Sequence, residues 1–250
     1  MKSKDNFANR FINALKGNTE AIEEEEVAEV KIEDMLEQLI SINDEAWGMY
    51  AFRREPLRGK FKNEEKNELI IKANECGREQ ARYIREEFGD ISTYEIAEKL
   101  GLEVEYPNRP NGGGHIIFAQ FVEPNKVTVF KDSVNKADNM ISERNIGHFF
   151  NNVKIEEILL AHEIFHFIEE NKKDIFTRVE KIRLWKIGPL KNDSSIVCLG
   201  EIAGMAFAKE LLKLNYSPYI LDVFLVYLYN KKTANILYNE IMNIRKEDRI

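Results

Sequence analysis

Apolar residues recur along this chain with two different periods. In residues 64–88, Leu69, Ile70, Ala73, Cys76, Ala81, Ile84 and Phe88 form one stripe at helical spacing, the signature of a long amphipathic helix. Gly89 is placed to stop it. Residues 32–40, IEDMLEQLI, repeat the same period. Ser92 and Glu95 fit a capping box that opens a short helix over 93–100, ended by Gly101. The period then changes to two. LEVEY at 102–106 alternates, and HIIFAQF at 115–121 and KVTVF at 126–130 flank the turn VEPN, predicting a hairpin joined to a third strand. Beyond it the chain reads as helical to the end, with loops expected near 131–152 and 185–195. Residues 53–66 mix Pro, Gly and charge and read as a linker. The order is helix, helix, small sheet, helices, which predicts an α+β fold with about three strands packed against helices. Residues 1–60 are expected to form an acidic N-terminal extension, helical or partly disordered, and 61–250 the main domain.

Composition narrows the partners. The 250 residues carry a net charge of −7, which repels phosphate backbones and argues against direct nucleic-acid binding. The run Glu23 to Glu26 reads as a solvated arm. Cys76 and Cys198 are the two cysteines and form no CxxC, so a disulfide framework is not expected and a reducing, cytoplasmic setting fits. Cys76 lies on the apolar stripe and reads as a buried thiol. The first twenty residues hold no continuous apolar run of the kind a signal peptide has. The apolar segment YILDVFLVYLY at 219–229 contains Asp222 and is too short to cross a bilayer. It is expected as a buried helix, with Tyr216, Tyr219 and Tyr227 in core roles.

One segment carries chemistry. LLAHEIFHFIEE at 159–170 places His162 and His166 four residues apart with Glu163 after the first. Residues at that spacing share a helix face, so both imidazoles can reach one Zn²⁺ at about 2.0–2.1 Å. Glu163 then lies beside the metal without ligating it, the general-base position of HExxH hydrolases. Ile155, Ile158, Leu159, Ile164, Phe165, Phe167 and Ile168 make the helix apolar on nearly all sides. Polar groups inside such a helix are costly unless they are partnered, and a metal is one such partner. Two core histidines paired with carboxylates are the plainer alternative. A structural zinc site favours cysteines, which are absent near the motif, whereas a catalytic site needs a third protein ligand. The candidates are Glu169, Glu170, Asp174, Glu180 and Glu201. One straight helix does not wrap three ligands around one ion. Glu201 is therefore preferred, from the apolar segment CLGEIAGMAFAKELL at 198–212, where Gly204 suggests close helix packing. His115, after Gly112, Gly113 and Gly114, is a candidate oxyanion donor. His148 is expected to be structural.

In this order the segments resemble the ImmA/IrrE family of zincin-like metallopeptidases, over roughly residues 64–215. YEIAEKLGLEVEY at 94–106, the hairpin at 115–130, ILLAHEIFHFI at 158–168 and EIAGMAFAKELL at 201–212 carry the resemblance. Phe165 stands where the family has glycine, Gly204 and Met205 replace an Ala-Asn pair, and Lys213-Leu214 replaces Met-Pro. The resemblance implies a zincin-like fold and one zinc ion on His162, His166 and Glu201. It also implies peptide-bond hydrolysis with Glu163 as base, acting on a protein substrate of the helix-turn-helix repressor class. The alternative is a zincin-fold module that binds or senses a protein partner with little proteolysis.

Overall fold

The computed structural model describes residues 30–108 and 118–247. Its helices are α1 (Ile32–Leu39), α2 (Asp44–Phe52), α3 (Asn63–Phe88), α4 (Thr93–Lys99), α5 (Lys131–Arg144), α6 (Ile155–Asn171), α7 (Phe176–Val179), α8 (Cys198–Leu211), α9 (Ile220–Tyr227) and α10 (Lys231–Glu247). The strands are β1 (Glu103–Glu105), β2 (Ala119–Val122), β3 (Lys126–Val129), β4 (Lys181–Ile187) and β5 (Leu190–Ser195). This is an α+β architecture, as the sequence predicts.

Local chemistry explains several boundaries. The Ser92 hydroxyl accepts from the Glu95 N–H, and the Glu95 carboxylate accepts from the Ser92 N–H, so the capping box is real. Gly89 and Gly101 close α3 and α4 at φ of 79° and 74°, a region that glycine enters without a Cβ penalty. In the first sheet, β3 lies between β1, which it pairs in parallel, and β2, which it pairs antiparallel. Val127 and Val129 of β3 point inward and are fully buried.

Two apolar cores share the long helices. One joins α4, the first sheet and the inner faces of α3, α6 and α8. The other gathers α1, α2, α9 and α10 with the remaining faces of those helices. Trp47 stacks on Tyr219 at 5.6 Å, and Tyr50 meets both rings edge-on. Residues 32–52 are thus built into the same core as the C-terminal helices. Tyr216, Tyr219 and Tyr227 are buried, and both thiols are buried and free. Burial pushes the Cys76 thiol up to about 11. No helix among the described residues is long and apolar enough to cross a membrane. The segment 219–229 instead forms the buried helix α9.

Two expectations are corrected. Residues 131–144, expected as loop, form α5. Its buried stripe is only Ser133, Val134 and Ala137, too short and too polar for the helical period to stand out. Residues 185–195, also expected as loop, lie within the β4–β5 hairpin. Gly188 at φ 57° and Pro189 form its turn. In β4 only Ile182 and Leu184, at its base, are half-buried, and from Trp185 to Lys191 both faces are exposed. The buried-face alternation that marks a strand in sequence is therefore missing over the stretch expected as loop.

Candidate metal centre

Helices α6 and α8 pack side by side, and α3 lies along α8. Glycines set how closely. A Cβ on Gly77 of α3 would sit 2.0 Å from the Ala203 carbonyl oxygen of α8. A Cβ on Gly204 would meet His162 Cε1 and Nδ1 at 2.9 Å, and one on Gly200 would meet the Glu169 carboxylate at 2.8 and 2.9 Å. Gly200 and Gly204 therefore open space on α8 for the polar side chains of α6.

That packing brings His162, His166 and Glu201 together, with one ligand atom from each within 4.8 Å of the others. His162 Nε2 and His166 Nε2 are 3.0 Å apart. Glu201 Oε2 lies 3.3 Å from His162 Nε2, and its Oε1 lies 3.5 Å from His166 Nε2. Two ligands on a tetrahedral zinc with bonds of about 2.0–2.1 Å stand about 3.3 Å apart. The observed separations bracket that value, so the donor set fits a zinc-sized cation. Glu201 is 6% exposed and Glu163 8% exposed.

The surroundings hold these groups in place. His166 Nδ1 lies 3.3 Å from Glu169 Oε2, the carboxylate–histidine arrangement that fixes ring orientation at metal sites. Burial alone would push the His166 imidazole down. The charge of Glu201, the contact with Glu169 and the charge of Glu163 outweigh it and lift its pKa to about 10. Glu169 is conversely held below the usual carboxylate range, because its interaction with His166 outweighs its burial. These carboxylates favour positive charge at this point, whether a proton on His166 or a metal cation. The Glu163 carboxylate accepts from the Phe121 N–H of β2 at 2.6 Å. Phe121 also packs edge-on against Phe167. Glu163 is therefore aimed by the sheet edge and not left on solvent.

Both ends of α8 are anchored by residues that sequence reasoning missed. Glu55, 1% exposed, accepts from the Leu57 and Cys198 N–H groups at 3.1 Å each, placing a carboxylate on the helix N-terminus. At the other end Arg85 donates to the Leu211 carbonyl at 2.6 Å. Arg178 does the same for α6, donating to the Glu169 and Glu170 carbonyls. Glu55 lies in a stretch read as linker. Its signal was a lone acid beside Pro56, which is too weak to find it. Gly77 and Gly200 were likewise unremarked.

The remaining candidates fall elsewhere. Glu170 pairs with Arg178. Asp174 and Glu180 do not join the trio, which is the one metal-ready group among the described residues. His148, expected as structural, is exposed on a short turn, its ring against Phe149. His115, Gly112, Gly113 and Gly114 lie outside the described residues, as do Glu23 to Glu26. Phe165 is fully buried against Phe207, on the side of α6 that packs into the core. No family model, curated protein or solved structure matches this chain.

Proposed function

We propose that this chain is a zinc-dependent endopeptidase that hydrolyses a peptide bond in a protein substrate. The observation that carries the reading is the convergence of His162, His166 and Glu201 beside a Glu163 that does not itself join the trio. His162, His166 and Glu201 would hold the ion. Zinc, when bound, supplies a Lewis acid that acidifies water and polarises a carbonyl. Glu163 takes the proton of the attacking water and delivers it to the leaving amine. Glu169 holds the His166 ring in its ligating orientation. β2 is an edge strand of its sheet among the described residues, and the backbone of Ala119 and Phe121 faces away from β3. The Phe121 N–H on that edge is held by Glu163, so an extended substrate chain that adds there takes over this donor and frees the Glu163 carboxylate. The resemblance points to a helix-turn-helix repressor as the protein substrate.

The test offers the zinc-loaded chain a proteome-derived peptide library and, as a member of the proposed substrate class, a small helix-turn-helix repressor. New termini are read by mass spectrometry. Cleavage is expected with the unaltered chain and lost by at least about a hundredfold in Glu163→Gln. Termini that appear equally with Glu163→Gln, or not at all with either protein, contradict the reading.

A further inference from the structure

The β4–β5 hairpin stands apart from the rest of the molecule. Its two strands pair with each other and with no third strand among the described residues. Ile182 packs onto the core at its base, and the Lys181 ammonium donates to the Ser195 hydroxyl across it. Toward the tip the composition inverts. Ile187 and Leu190 sit directly opposite each other at 71% and 65% exposure, with Trp185 at 46%. Lys186 and Lys191 form the next cross-strand pair. Like charges directly opposite are destabilising, and exposed apolar pairs gain little from being in water. Arg183 and Lys191 share Asp193, whereas Lys186 has no acidic partner among the described residues. A hairpin that merely linked α7 to α8 would need neither feature. Lysines alone would read as protection against edge-to-edge association, but three bare apolar side chains beside them oppose that purpose.

Each feature fits one kind of occupant. The lysines call for negative charge, the apolar tip for apolar side chains, and the unpaired strand edges for backbone N–H and C=O groups. Lipid headgroups and nucleic acids supply charge but cannot extend a sheet. We propose that the β4–β5 hairpin is a docking arm for a polypeptide segment that alternates acidic and apolar residues, added as a further strand on the hairpin edge with its acids on Lys186 and Lys191. The arm leads directly into α8, its last residue Ser195 standing three residues before Cys198 and six before Glu201. Docking does not depend on hydrolysis and is expected unchanged in Glu163→Gln.

The test follows tryptophan emission of the full chain while a short synthetic peptide of alternating Glu and Leu is titrated in. A saturable blue shift is expected, absent in Trp185→Phe, where buried Trp47 remains as a marker of folding. The double variant Lys186→Glu/Lys191→Glu keeps a like-charged pair within the hairpin and reverses its sign. It is expected to weaken the peptide by at least about tenfold and to bind the Lys–Leu counterpart instead. No shift up to millimolar peptide overturns the proposal, as does equal binding of both peptides to the unaltered chain. Tighter binding to phosphatidylserine vesicles than to the Glu–Leu peptide overturns the polypeptide occupant in favour of a membrane surface.

Discussion

The α6–α8 helix pair and the β4–β5 hairpin lie within one stretch of chain, residues 155–211, yet solve opposite problems. The helix pair buries charge. His166, Glu169, Glu163 and Glu201 are all placed against one another or against backbone donors. His162 Nδ1 is the one buried polar atom of the cluster with no hydrogen-bond partner among the described residues, and glycines remove the bulk that would hold the helices apart. The hairpin exposes apolar surface and leaves Lys186 and Lys191 facing each other. A buried polar cluster is tolerated when every member is partnered, because each unpartnered group costs about 1–3 kcal/mol. An exposed apolar tip costs the isolated chain little and gains only when something covers it. On the proposed reading the helix pair carries the chemistry and the hairpin the recognition.

Gly77→Ala should break the first half of that comparison with the largest effect. A Cβ there meets the Ala203 carbonyl of α8 at 2.0 Å, so α3 and the helix that carries Glu201 must separate. A destabilisation of about 3 kcal/mol or more is expected, measured by denaturant unfolding.

A smaller effect is expected beside the centre at Asp222, which accepts from the Tyr50 hydroxyl at 2.8 Å. Burial, opposed by Arg54 and Tyr50, raises its pKa to about 6. The folded state therefore holds this proton more tightly than the unfolded chain does. Asp222 contributes stability that is fully present below about pH 4 and is lost as pH rises to about 6. Asp222→Asn should flatten that slope and stabilise the chain at pH 7 by about 1–2 kcal/mol, read from unfolding curves at several pH values. A slope that persists in the variant would place the titrating group elsewhere.

The hairpin tip should respond least. Replacing Ile187 and Leu190 by threonine is expected to change stability by less than about 0.5 kcal/mol, while removing the Glu–Leu peptide shift. A large loss of stability would mean that the tip is structural and would erase the contrast with the helix pair.

What the sequence disclosed follows the same division. The helices α3, α4 and α6 and the central strand β3 of the first sheet were legible because each buries a face, and burial imposes a period. The Ser92–Glu95 cap was legible because its chemistry is local. His162, Glu163 and His166 share one helix turn, so their convergence follows from spacing alone. Glu201 was reachable only as a lone acid in an apolar helix. Glu55 and Gly77 were not reachable, because their roles exist only once α8 lies against them. The hairpin was missed for the converse reason: its outer half, from Trp185 to Lys191, has no buried face and leaves no alternation to read. Helix α5 fell between: Val134 and Ala137 are its only fully buried apolar residues, too few to set a period.

The most direct test of the metal centre is zinc content by mass spectrometry on untagged protein after dialysis, for the unaltered chain beside Glu201→Ala and Glu163→Gln. Near-stoichiometric zinc is expected in the unaltered chain and in Glu163→Gln, and its loss in Glu201→Ala. Zinc absent from the unaltered chain even after it is added back, or retained undiminished without Glu201, would contradict it.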